Sequence, residues 1–452
     1  PSPRFIDYLQ LAAHVVIIVA VSWLLTVPQP VDPIPDTFAS ASSRTLAVMN
    51  FMDTANEGSV EVGPAFSEEL REGLTRTAGL RVLGPATSRI LAGAGEELLA
   101  VAFELGVSAI LEGEITLEGG QLDIQARLLT MPDGQRIWSS RIDGPVNDAI
   151  RMQNELMRTV IGVIAPGLDP DPVHGPRVQE EACEGVYDVY LRGKQLLSTP
   201  GTSGHEARLR GRELIRQATE QNPGCGIAWE ALARALWRYT PEGYARSGAA
   251  ARRALELNDK LPEAWTILAE MAEQEKNWGQ SEEYFLKALY ADPTNLTANV
   301  MYGEALMARG RVRDALQYAL RALEYEPAHR GAHWRVTMMA QYAARWDLVE
   351  KHALLYMELS PDEPIYDEWE SIAYARLMQD DLDGALSALQ SCDDDIPGWY
   401  LDCMRLRQGA PMAGSHDFSR LLLHVKEEWK QQGEESIDLM LVWRALLCGI
   451  WI

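Results

Sequence analysis

Residues 262–293 read PEAWTILAEMAEQEKNWGQSEEYFLKALYADP. With Trp265 as the fourth residue of a unit, Leu268 and Ala269 fall on a first helix and Phe285 and Ala288 on a second. Pro293 then closes the unit. Small residues stand where paired helices would touch, and Pro stands where the second helix must end. The spacing recurs. Pro293, Pro327 and Pro361 are 34 residues apart, and Pro397 follows after 36. The next unit supplies Gly303, Ala315, Ala322 and Pro327, and a later one Trp369, Ala373, Ala385 and Pro397. Looser units run from Trp229 to Ala254, and from YDVYLRG (187–193) to Ala218 and Pro223. The pattern predicts about six helix pairs stacked as a solenoid over 182–452.

The unit resembles the tetratricopeptide repeat. In that family, positions 2, 5, 6, 9, 12 and 13 line a concave groove that holds protein partners. Applied here, those offsets select Met301, Glu304, Met307, Trp334, Arg335, Met338, Tyr342, Tyr374 and Met378. This Met-rich and aromatic set suits an apolar peptide or helix, whereas core packing is the expectation for most other aromatics of the repeats. His329 and His333 lie four apart on one helix; with no third ligand in view they read as a solvated pair rather than as half of a metal site. Asp393–Asp395 read as a helix cap, and Asn295-Leu-Thr297 as a chance glycosylation sequon. The apolar end, SIDLMLVWRALLCGIWI (436–452), is either a helix that caps the stack or a segment that docks on a partner or membrane surface.

Upstream, residues 44–166 read as a βαβαβββα domain. TLAVMNF (45–51) and LRVLGP (80–85) have the apolar runs of buried strands. Gly63-Pro64 opens a helix whose Phe66, Leu70 and Leu74 repeat every four residues, and Glu96–Gly106 gives a second helix. Three strands follow (AILEGEITLE, QLDIQARLLT, RIWSSRI), separated by Gly119-Gly120 and Pro132-Asp133-Gly134, and Val146–Ala165 closes the domain as an amphipathic helix. The stretches FSEELREGLTRTAGLRVLG, ELGVSAILEGEI and LDIQARLLTMPDGQRIWSSRID resemble the TolB amino-terminal-like domain. That resemblance implies an envelope protein, or the periplasmic module of a CadC/ToxR-type regulator or adenylate cyclase, followed by tetratricopeptide repeats. It carries no catalytic residues.

Before this domain, residues 8–27 are free of formal charge over 20 residues, the length of a membrane-spanning helix. Arg4 before the stretch and Asp32 and Asp36 after it place residues 1–7 in the cytoplasm and the bulk in the periplasm of a bacterial inner-membrane protein. His14 is the one ionisable group within it, either a ligand or a contact to another helix. Residues 28–43 and 167–181 read as Pro-rich linkers.

Lys and Arg number 41 against 65 Asp and Glu, a formal charge of −24, so a phosphate backbone would be repelled and no nucleic-acid partner is expected. No nucleophile–base or metal constellation appears, so neither an enzyme nor a cofactor is expected. In an oxidising compartment the helix starts after Cys183 and Cys225 would be neighbours in the stack, which predicts a bridge between them. Cys392 and Cys403 form a second candidate pair, with Cys448 left over. The expected fold is α+β plus all-α. The expected role is an anchored scaffold for protein partners, with the sensory half of a regulator or cyclase as the alternative.

Overall fold

The computed structural model describes residues 44–54, 62–75, 77, 80–165, 182–198, 204–237, 241–359, 366–379 and 381–391. The apolar stretch 8–27 with His14, both Pro-rich linkers, Cys392, Cys403, Cys448, the Asp393–Asp395 run and the 436–452 tail lie outside these residues. Among the described residues no helix is long and apolar enough to cross a membrane.

The first part is a six-stranded sheet: β1 (Arg44–Val48), β2 (Met52–Asp53), β3 (Leu80–Leu83), β4 (Ala109–Glu118), β5 (Gln121–Thr130) and β6 (Gln135–Pro145). The order is β3-β1-β4-β5-β6, with β2 beside β4. β1 runs parallel to β3 and β4, and β4-β5-β6 form an antiparallel meander. Gly119 and Gly120, at φ +58° and +79°, make the β4–β5 turn that only a residue without Cβ adopts freely. Four helices accompany the sheet: α1 (Gly63–Thr75), α2 (Pro85–Gly93), α3 (Leu98–Glu104) and α4 (Ala149–Ile164). Alternation along β1 divides the core. Leu46 and Val48 join Phe66, Leu70, Leu156 and Val160 under α1 and α4. Ala47 and Met49 join Leu91, Ala102 and Ile110 under α2 and α3.

Three details differ from the pattern reading. The run 45–51 is not one strand: β1 stops at Val48, and Met52–Asp53 pairs further along β4. The break lets the Asp53 carboxylate accept from the N–H groups of Val62 (3.0 Å) and Gly63 (2.8 Å), tying down the start of α1. Helix α2 was not anticipated. It is short, its apolar periodicity is weak, and its signal was Pro85 at the first helical position. The helix read over 96–106 is a 3₁₀ turn, Gly95–Glu97, followed by α3.

The second part is a mostly helical solenoid of antiparallel pairs. Its helices are α5 (Tyr187–Leu197), α6 (Gly204–Gln221), α7 (Gly226–Leu236), α8 (Pro241–Leu257), α9 (Pro262–Gln274) and α10 (Trp278–Ala291). They continue as α11 (Leu296–Ala308), α12 (Val312–Tyr325), α13 (Arg330–Tyr342), α14 (Trp346–Glu358), α15 (Tyr366–Met378) and α16 (Leu382–Gln390). Ala269, Ala288, Ala315 and Ala322 are fully buried. A Cβ at Gly303 would lie 3.1 Å from the Ala315 carbonyl oxygen, so the α11–α12 crossing is tight there. The turns inside successive pairs repeat one backbone shape. Lys276, Gly310 and Ala344, spaced 34 apart, all take the left-handed conformation, at φ +58°, +75° and +55°.

Candidate functional site

The sheet domain meets the solenoid at two places. At the first, α1 faces α5. The Tyr190 hydroxyl donates to Glu69 (2.6 Å), and Lys194 donates to Glu69 and to Glu72 (3.0 Å), with Glu68 at 3.6 Å. Tyr187 donates to Gln153 of α4 (2.5 Å). Burial pulls the Lys194 ammonium down, but Glu68, Glu69 and Glu72 outweigh it and hold the amine well above its ordinary range. At the second place, the end of β3 and the start of α2 meet the α12–α13 turn. Gly84 N–H donates to the Tyr325 carbonyl (2.9 Å), and Arg81 donates to the Glu324 carbonyl. The buried Glu326 carboxylate lies at the α2 N-terminus, accepting from Ala86 N–H (3.4 Å) and Thr87 N–H (3.3 Å). A Cβ on Gly84 would stand 2.0 Å from Glu326 Oε1, so the approach requires glycine there.

Beside the first contact a groove of about 380 Å³ separates α1 from the inner helices α7, α9 and α11. Six carboxylates line it (Glu68, Glu69, Glu72, Glu230, Glu263, Asp292) against two cations, Lys194 and Arg234. Arg234 bridges neighbouring repeats, to Glu263 (2.5 Å) and Glu270 (3.5 Å). Asn295 also donates to Glu263 (3.2 Å). Burial raises Glu263, but Arg234 more than reverses this and holds it below its ordinary value. Among the described residues no cation forms an ion pair with Glu230, and Lys194 offsets its neighbours only weakly. Burial, then the Glu263 charge, push Glu230 up to about 8. Glu270 is pushed up to about 7, chiefly by burial. The groove therefore carries more acid than its own cations neutralise.

The expected Met and aromatic set lies on the first helices of three successive pairs, α11, α13 and α15. Met301 and Met307 pack against the core of the middle repeats, and Tyr374 and Met378 against that of the last described ones. Tyr374 also meets Trp346 edge-on at 5.2 Å. Met338 is half-buried, while Trp334 and Tyr342 are exposed. Glu304 and Arg335 pair across α11 and α13 (2.5 Å), and the Arg335 guanidinium lies 5.8 Å from the Trp334 ring. The same offsets applied to the earlier units select Glu230, Arg234, Glu263 and Glu270. The signal was present in the sequence: Glu230 and Arg234 lie in the looser unit that starts near Trp229, and Glu263 and Glu270 in the regular unit 262–293.

Cys183 and Cys225 are joined by a disulfide with Cα atoms 4.5 Å apart. His329 accepts from Ala332 N–H (3.1 Å), so it caps α13. His333 donates through Nε2 to the Pro327 carbonyl (2.8 Å). Its Nδ1 must then accept from His352 Nδ1 (2.9 Å). Burial, then His333 and Lys351, hold His352 down at about 4. Among the described residues no group of three or more His, Cys, Asp or Glu could hold a metal ion.

The chain is 24% identical over 247 residues to a putative adenylate cyclase 3 of Rhizobium meliloti (strain 1021), covering 53% of this chain and 41% of that one. It thus spans less than half the length of that curated relative. Among solved structures it is similar to YrrB, a TPR protein with an unusual peptide-binding site (21% identity, 40% of this chain, 90% of that one, TM-score 0.33). It is also similar to PilW, a type IV pilus biogenesis factor (17% identity, 45% and 90%, TM-score 0.36). Residues 242–295, from α8 through α10 to the turn before α11, match the tetratricopeptide repeat family.

Proposed function

We propose that the chain is a scaffold that holds a partner protein, and that the groove between α1 and the inner helices α7, α9 and α11 takes a cationic segment of it. The observation that carries this reading is the excess of six lining carboxylates over two cations. A Lys or Arg side chain entering there would pair with Glu230, the acid most disfavoured in its charged form. Because a cation binds the carboxylate and not the acid, binding should tighten as pH rises from about 6 to 9 and should release protons near pH 7. The test is co-purification in mild detergent with Glu68→Gln and Glu72→Gln, which remove two of the six lining carboxylates at partly exposed side chains and leave the Lys194–Glu69 pair in place. Loss of the partner with an unchanged helical melt is expected, and full retention refutes the groove as the interface.

The remainder of the reading is an inner-membrane anchor at 8–27 with a periplasmic bulk. It is supported by that uncharged stretch and by a disulfide, which persists in oxidising compartments. An active alkaline phosphatase fused after Ile452 is the expected outcome, and an inactive one beside an active cytoplasmic reporter would refute it. A second reading, the sensory part of a regulator or cyclase, is favoured by the relative named as a putative adenylate cyclase. Sequencing the gene on both sides for a cyclase or DNA-binding domain decides between the two.

A further inference from the structure

The antiparallel part of the sheet, β4-β5-β6, has a face turned away from α1 and α4. On one side of β4-β5-β6 the residues Leu111, Ile115, Ile124 and Leu128 belong to the core under α1 and α4. On the other side, the cross-strand register lays out two polar rows. Glu112, Arg127 and Ser139 lie side by side, and next to them Glu114, Gln125 and Arg141. Leu129 and Arg136 are opposed one step beyond, at the bulge. Arg136 and Arg141 are therefore both diagonal neighbours of Arg127 on the adjacent strand, about 8 Å away. Three guanidinium groups share one patch of a chain whose net charge is −24.

Two of the three are held in place from outside the patch centre. Glu112 takes Arg127 Nε (2.5 Å), and Asp123 takes Arg141 through Nε (3.0 Å) and Nη2 (2.6 Å). Each pair leaves further N–H donors unspent, since a guanidinium carries five. Arg136 and Glu114 form no ion pair among the described residues. The patch is the floor of a cavity of about 580 Å³, the size of a small-molecule site. Its wall is largely apolar: Met52 beside β4 and Leu98 of α3 are accessible, with the buried Met49 and Leu91 behind them and Asn50 as the polar member. Met52 is 58% exposed, a large apolar side chain facing solvent beside a polar floor. The three arginines are matched in number by Glu112, Glu114 and Asp123, so a polyphosphate would meet nearly as much repulsion as attraction. A single negative charge at the β5–β6 side, with an apolar body toward Met52 and Leu98, meets far less of that repulsion.

We propose that this face binds a small amphipathic monoanion, a carboxylate with an aliphatic or aryl body. Its head group would lie on Arg127, Arg136 and Arg141, and its body on the methionine–leucine wall. Arginine suits the head group because its planar fork matches a carboxylate. The site lies on the side of the sheet opposite α1, so it is independent of the cationic-segment groove.

Calorimetric titration of the full chain with decanoate tests the assignment, with acetate and decanol as the head and body alone. One decanoate per chain is expected, with each fragment weaker by about tenfold or more. Arg136→Gln with Arg141→Gln should weaken decanoate by about tenfold or more, and Met52→Asp likewise, with an unchanged circular dichroism melt. Decanoate bound equally well by the double variant, or no titratable binding to the parent chain, overturns the proposal. Equal binding of decanol also overturns it, because an apolar surface alone would then account for the heat.

Discussion

Lys194→Met is the most direct probe of how the sheet domain is held to the repeats. The side chain is 16% exposed and donates to Glu69, whose side chain is 8% exposed, and to Glu72. Methionine keeps most of the stem and removes the charge. Glu69 would keep the Tyr190 hydrogen bond but lose its cation, and a buried charge stripped of its partner costs about 3–5 kcal/mol. Glu68 and Glu72, four apart on α1, would add a few tenths through like-charge repulsion. Allowing about 1 kcal/mol for the retained Tyr190 bond, the junction should open more easily by about 3 kcal/mol, a factor of about 150. Native-state hydrogen exchange reads this directly: protection of α1 and α5 amides should fall by about two orders of magnitude, and α11 amides should be unaffected. Lys194→Met with Glu69→Gln should regain at least half of the loss, because the neutral amide still accepts from Tyr190. A loss below about 1 kcal/mol, or no recovery in the double variant, would refute the claim that this ion pair couples the two parts.

Three further outcomes follow from the same geometry. The Cys183–Cys225 bridge spans 42 residues, so Cys183→Ser with Cys225→Ser should cost the first repeats up to about 4 kcal/mol by loop entropy, read as a lower urea midpoint; an unchanged midpoint under reducing and non-reducing conditions would refute it. His352 is held near 4 against an unfolded value of 6.5, so the native chain binds the proton less well than the unfolded one; its contribution is intact above about pH 6.5 and is lost as pH falls toward 4, by about 3 kcal/mol in all. Urea titrations at pH 7 and 4.5 on the parent chain and His352→Asn should diverge in their pH dependence, and parallel behaviour would remove the histidine pair as the cause. Ala344→Gly should stabilise the α13–α14 turn by up to about 1 kcal/mol, because alanine there sits at φ +55°; a lower melting temperature would show that helix propensity outweighs the backbone strain.

Much of the architecture was legible because it is local. The 34-residue recurrence of proline, the small residues at helix crossings and the Gly119-Gly120 turn are consequences of backbone sterics within a few residues. They mark out helix pairs and hairpins before any long-range contact is considered. The elements that escaped were those whose local signal is weak: α2, with only Pro85 to announce it, and the break between β1 and β2, which takes its purpose from Asp53 reaching residues 62 and 63. The candidate site was legible in part. The groove offsets, carried back to the second and third units, name Glu230, Arg234, Glu263 and Glu270 from spacing alone. Spacing could not reveal that α1 supplies Glu68, Glu69 and Glu72 to the opposite wall, because those residues lie more than 150 positions from Glu230. Nor could it reveal that Gly84 and Glu326 meet, or that His333 finds its partner on α14 and not in His329. Periodicity determines which face of a helix is apolar. Which other face it meets, and what charge is then left unneutralised between them, is decided only when distant segments are packed together and their burial sets the cost of every polar group.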